Sequence, residues 1–177
     1  MRPGLRTGTR GFTLIELLIV IAIIGIIAAM LIPNLLDSLQ KTKQKRTMAD
    51  MRLVGTAMFS WLTDESSAAA AGQEVTTVDL STYGSTIAPD DLAGVLGPTY
   101  VQHIPERDGW KNPFDFYLQL DDPSARQVMA ISSPGRDAEY ESGPYVAGGF
   151  DPTDYDRDIV WADGFFVRWP QNQQDQQ

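Results

Sequence analysis

Gly11-Phe12-Thr13-Leu14-Ile15-Glu16 opens an apolar run that continues to Pro33. Leu17 to Ile32 contains only Leu, Ile, Val, Ala, Met and one Gly. With Phe12–Ile15 added, the segment is about 20 residues long, enough for a helix to cross a hydrocarbon core of roughly 30 Å. Glu16 sits in the first turn of that helix. A charge there costs roughly 2.5–3.5 kcal/mol on insertion scales, so it calls for a partner.

Outward from this stretch, the chain is bounded by its composition. It has 177 residues, one long hydrophobic segment and no cysteine, which fits one membrane-anchored helix plus one small globular domain. The leader Met1–Gly11 carries Arg2, Arg6 and Arg10 and no acid. Its removal takes the formal net charge from −9 to −12. So acidic a chain argues against nucleic acid as a partner. The apolar run exceeds the h-region of an ordinary secretory signal, and no small-residue cleavage pattern follows it.

After Pro33 the helical pattern resumes. Leu36, Leu39, Met48, Met51, Val54, Met58, Trp61 and Leu62 recur mostly at spacings of three, four or seven, one face of a helix. The spacing predicts one long helix over 12–63, with Pro33 kinking or locally melting it. Lys41, Lys43, Lys45 and Arg46 read as a solvated face. They also leave the positive-inside count ambiguous, since the leader is basic too.

Thr63–Glu74 is small and polar and reads as a loop. Short extended pieces are expected around Val75–Leu80, and a short helix over Asp90–Leu96 between Pro89 and Gly97-Pro98. Asp108–Phe114 is a cluster of turn formers around two aromatics. Strands are expected at Phe114–Leu120 and Arg126–Ser132, a hairpin across Asp121–Ser124. Further strands are expected at Ile159–Trp161 and Phe165–Trp169, before a polar tail at 171–177.

Arg10 through Val20 resembles the cleavage signal of type IV pilins and type II secretion pseudopilins, and the likeness runs to about Leu36. The resemblance implies a prepilin peptidase that cuts after Gly11 and methylates the new N-terminal residue, Phe12. It implies a pilin fold of class α+β: a leader over 1–11, a long helix over 12–63 whose part 12–33 spans the membrane or fills a filament core, and a periplasmic head over 64–170. It also implies an N-in orientation in the inner membrane, a homopolymer, and an assembly platform in that membrane. Glu16 would then neutralise the Phe12 amine of a neighbouring subunit, and Pro33 falls where the family kinks its helix.

Asp108, Trp110, Asn112, Pro113 and Phe114 match a turn of major pseudopilins. Gly109 stands where that motif has Pro, and Lys111 where it has Gly. Two acidic half-motifs follow, Ser132-Ser133-Pro134-Gly135-Arg136-Asp137 and Asp154-Tyr155-Asp156-Arg157-Asp158. Carboxylates and carbonyls in two loops suit a hard cation, which takes six to eight oxygens. The resemblance carries a structural Ca²⁺ to Asp137, Asp156 and Asp158, with Ser132 or Ser133 and, more loosely, Asp154. A solvated acidic loop is the alternative, since the Gly and the bidentate Glu of an EF-hand loop are absent.

The lone His103 has no Cys or acid at metal spacing, and no phosphate loop or nucleophile elbow is present. An enzyme is not expected. A pseudopilus subunit for type II secretion is the first reading and a pilin for motility or adhesion the second. A third is a membrane-anchored minor or binding subunit that does not polymerise, a reading that the retained Glu16 disfavours.

Overall fold

A computed structural model describes residues 11–65, 77–122 and 125–171. The leader up to Arg10, most of the polar loop after Thr63, Pro123-Ser124 and the tail beyond Gln171 lie outside the described residues. The chain forms two compact units, one ending at Ser38 and one starting at Leu39.

Helix α1 spans Leu14–Glu65 and contains Pro33. Helical structure is continuous through the proline rather than melted there. In the first unit the apolar side chains face outward: Leu14, Ile15, Ile26 and Met30 are all more than 60% exposed. Nothing in this unit covers them, so a bilayer or other chains must.

The second unit is built on Leu39–Glu65 of α1. After it come β1 (Thr77–Val78), a 3-10 turn (Leu80–Tyr83), β2 (Thr86–Ile87) and α2 (Pro89–Leu96). The remaining strands are β3 (Asp115–Leu118), β4 (Met129–Ser133), β5 (Tyr145–Val146), β6 (Gly148–Phe150), β7 (Ile159–Ala162) and β8 (Phe165–Pro170). Six of them form a sheet in the order β2-β3-β4-β7-β8-β6, antiparallel except for β6 beside β8, while β1 pairs with β5 separately.

Period-2 geometry sends alternate side chains of β4 to opposite faces. Met129 and Ile131 join Met51, Val54, Met58 and Trp61 of α1 and Leu92 and Leu96 of α2 in the main core. Ala130 joins Val78, Tyr83, Tyr145 and Val167 in a second core on the other face. Covered on both faces, β4 is buried along its whole length. Gly55 permits the helix–sheet approach, since a Cβ there would come within 2.6 Å of the Trp161 ring.

The fold is therefore α+β, with a long N-terminal helix whose second half packs on a mainly antiparallel sheet. The short helix and the strands expected near 115, 129, 159 and 165 are present: β3 is shorter than expected, β4 starts later, and α2, β7 and β8 each run one residue longer. Helix α1 starts two residues after the expected start and ends two residues beyond the expected end. β2, β5 and β6 are additional to the expected set; β5 and β6 come from a Gly- and Pro-containing stretch whose pattern carries no period.

Candidate functional site

Three stretches carry the candidate residues. In the first, Thr13 precedes the helix and Glu16 lies in its first turn. Thr13 N and Oγ1 donate to Glu16 Oε2 at 2.9 and 2.7 Å, and Glu16 N donates to Thr13 Oγ1 at 3.3 Å. This reciprocal capping box satisfies donors that a helix start leaves open. It holds the carboxylate at the end of the apolar segment, beside the Gly11–Phe12 bond. Phe12 is 75% exposed, and no atom approaches the position of a Cβ on Gly11 within 4 Å. Gly11 and Phe12 are thus exposed among the described residues.

The second stretch is the turn at 108–114, which ties α1 to the sheet. Asp108 is buried, and burial pushes its carboxyl up from the usual range against the pull of its hydrogen bonds. Its Oδ1 accepts from the backbone of Trp110 and Asn112 at 2.8 and 2.9 Å, and its Oδ2 accepts from Ser133 Oγ at 2.8 Å. Gly109 N donates to Thr47 Oγ1 at 2.9 Å, and Trp110 Nε1 to Gln40 Oε1 at 2.6 Å. A Cβ on Gly109 would fall 2.7 and 2.8 Å from Lys43 C and Cα, and closer still to the Lys43 carbonyl oxygen. The departure from the family's Pro at this position thus has a cause: the backbone sits directly on α1. Asn112 Nδ2 then reaches across to Gly135 O at 2.6 Å, which joins this turn to the third stretch.

That third stretch holds the residues assigned to calcium, and it separates them. Asp156 takes a two-pronged contact from Arg136, with Nε to Oδ1 at 2.7 Å and NH2 to Oδ2 at 2.5 Å. The guanidinium holds the Asp156 carboxyl below its usual value. Asp154 accepts from Arg157 Nε at 3.1 Å, and Arg157 and Arg168 both approach Glu141. Asp137 Oδ1 accepts from Glu139 N at 3.2 Å. Ser132 and Ser133 are fully buried in β4, and Ser133 is committed to Asp108.

Asp158 stands apart. It is 0% exposed, and its Oδ2 accepts from Tyr145 OH at 2.5 Å and from Glu141 N at 2.8 Å. Its Oδ1 is buried without a hydrogen-bond partner. Burial pushes its carboxyl up, and the negative charges of Glu141 and Asp137 add to that. Among the described residues no three His, Cys, Asp or Glu side chains gather into a group able to hold a metal ion. Of the residues assigned to calcium, Asp154 and Asp156 have carboxylate oxygens already taken by guanidinium groups, while Asp158 keeps one buried oxygen without a hydrogen-bond partner. Tyr145 and the three arginines give no local sequence signal, except that Arg157 lies directly between Asp156 and Asp158.

Residues 6–32 match the model of the prokaryotic N-terminal methylation motif. The type II secretion system core protein G of Aeromonas hydrophila is 30% identical over 129 residues, 73% of this chain and 84% of the relative. The protein of the same name from Vibrio cholerae is 26% identical over 133 residues, 75% of this chain and 86% of the relative. The type IV major pilin of Myxococcus xanthus is 45% identical over 56 residues, 32% of this chain and 26% of the pilin. No solved structure gives a significant match. With the methylation motif on an outward-facing apolar helix and the likeness covering about three quarters of the chain, the chain belongs to the family of type II secretion system core protein G, among the type IV pilin-like proteins.

Proposed function

We propose that this chain is the structural subunit of a helical pseudopilus that drives type II protein secretion. The observation that carries this reading is the extent of the likeness to core protein G, which covers 129 residues, 73% of the chain, and so extends beyond the N-terminal helix into the head. A prepilin peptidase cuts after Gly11 and methylates the Phe12 amine. The cut chain stays in the inner membrane, N-terminus inside and head in the periplasm, until the assembly platform adds it to the filament. There its apolar helix is buried among copies of itself through contacts that repeat without closing into a ring. Glu16 leaves its own cap to pair with the Phe12 amine of a neighbour, which offsets the cost of two charges in an apolar core. Structural subunits of this kind perform no catalysis.

The second reading, a pilin for motility or adhesion, draws on the 45% identity to the Myxococcus pilin, which covers only 56 residues. Deleting the gene separates the two. Secreted proteins trapped in the periplasm with motility intact is the expected result. Lost surface motility with normal secretion would assign the chain to a pilus.

Calcium, in this reading, is held by Asp137 and Asp158 and ties the C-terminal loop to β7. It supplies the positive charge that Asp158 Oδ1 lacks. A carboxyl pushed up by folding stabilises the fold fully below its unfolded value, and that contribution is lost as pH rises through the folded value. In a chelator, Asp158 thus weakens the head near neutral pH, and calcium reverses the sign by favouring the carboxylate. Asp158→Asn keeps an acceptor for Tyr145 and Glu141 but removes the charge. It is expected to melt at the same or a higher temperature than wild type in chelator and to show no calcium response. A wild-type melting temperature indifferent to calcium refutes the site.

A further inference from the structure

We infer that three arginines latch the C-terminal loop of the head shut, in the place where the resemblance puts a cation; this holds whether the subunit enters a pseudopilus or a pilus. The loop runs from Gly135 to Tyr145, and its bonds reach the stretch Asp154–Asp158 that leads into β7. Together the two stretches carry six acids, Asp137, Glu139, Glu141, Asp154, Asp156 and Asp158, against Arg136 and Arg157. Like charges so close repel, so closing the loop requires positive charge at the seam.

The backbone first sets the two stretches in contact. Gly135 has a φ of 71°, and a Cβ on it would fall 2.8 and 2.9 Å from the carbonyl oxygens of Arg157 and Tyr155. Arg136 N donates to Tyr155 O at 2.8 Å, and Glu141 N donates to Asp158 Oδ2 at 2.8 Å. Guanidinium groups then supply the charge. Arg136 reaches from the loop to both oxygens of Asp156, at 2.7 and 2.5 Å. Arg157 reaches back from the other side, to Glu141 Oε1 at 3.2 Å and Asp154 Oδ2 at 3.1 Å. Arg168 of β8 approaches the same Glu141 oxygen at 3.6 Å, with its side chain only 18% exposed. Glu141 is thus the centre of the latch.

A single exposed ion pair contributes little, because solvent screens it and two long side chains must be ordered. This set differs in two respects. Asp156 is gripped through two bonds from one planar group, and Glu141 is shared by two arginines, one of them mostly enclosed. A calcium ion would have to displace guanidinium groups to reach Asp154 or Asp156, so those carboxylates belong to the latch. Calcium at Asp158 would add to a loop that the arginines already hold.

The test follows hydrogen exchange of the full chain in detergent, with a calcium chelator present throughout. It reads the amides of Arg136 and Glu141 and, as a control for global unfolding, that of Ile131 in buried β4. Wild type is expected to protect both loop amides in chelator. Sodium chloride at about 1 M should speed their exchange roughly fivefold and leave Ile131 unchanged. Glu141→Gln and Arg136→Asp should each speed it about tenfold or more. Adding Asp156→Arg to Arg136→Asp should restore protection, since it rebuilds the pair in reverse and an arginine cannot bind calcium. Loop amides that exchange like unstructured peptide in chelator, and slow only when calcium is supplied, would overturn the latch and give its role to the cation. Exchange in wild type indifferent to salt would overturn it as well, as would a reversed pair that restores nothing while Ile131 stays protected. A wild-type melting temperature indifferent to calcium, by contrast, would remove the cation from Asp158 and leave the latch standing.

Discussion

Glu16→Leu should yield a chain that is cut after Gly11 and retained in the membrane, yet forms no filaments. Removing one partner of a buried ion pair costs about 3–5 kcal/mol, because the other charge stays buried alone. At 1.4 kcal/mol per decade that is two to four orders of magnitude in each subunit–subunit contact. The same change also breaks the capping box with Thr13, but a lost cap costs only about 0.5–2 kcal/mol. Glu16→Gln separates the two roles, since its amide oxygen still accepts from Thr13 while the charge is gone. Electron microscopy of sheared filaments and immunoblots of membrane fractions read both steps. Wild-type numbers of filaments from Glu16→Gln would refute charge pairing and leave the cap as the residue's role.

Gly109→Pro, the change toward the family's own pattern, should destabilise this head instead of improving it. Proline brings a Cβ into the Lys43 backbone and deletes the N–H that donates to Thr47 Oγ1. The turn must lift off α1, which also strains the Trp110–Gln40 bond. A clash with main chain cannot be relieved by turning a side chain, so a loss of about 3 kcal/mol or more is expected. For a domain of this size that lowers the melting temperature by roughly 10 °C. Gly109→Ala should lose somewhat less, since it keeps the N–H. An unchanged melting temperature for Gly109→Pro would mean that the turn does not rest on the helix as described.

Much of the architecture was legible because it depends on local regularities. The apolar run, the recurrence from Met48 to Leu62 and the Pro89 start of α2 each declare themselves within one continuous stretch of sequence. The partners of the acidic loop were not. Arg136 meets Asp156 across 20 residues, and Tyr145 meets Asp158 across 13. Spacing alone makes Asp154, Asp156 and Asp158 equivalent, while burial distinguishes them: two are exposed and paired, and one is enclosed with a bare oxygen. β6 was hidden for a related reason. Its two glycines give no alternation, and its parallel partner β8 lies about 20 residues on. The match at Asp108–Phe114 showed that a turn exists there, but the reason for Gly109 lies in Lys43, more than 60 residues earlier.

The turn at Asp108 also has a mechanical meaning. In the filament proposed above, a subunit would be pushed or pulled through its helix, and the head would have to travel with it. Thr47–Gly109 and Gln40–Trp110 fasten helix to turn, while Asp108–Ser133 and Asn112–Gly135 fasten turn to sheet and loop. Each pair joins its two parts at two points, so a force along the helix is shared between bonds rather than peeling them one at a time. In a chain with no disulfide, this double clasp lets axial thrust reach the sheet before the hydrophobic contacts farther along the helix begin to slide.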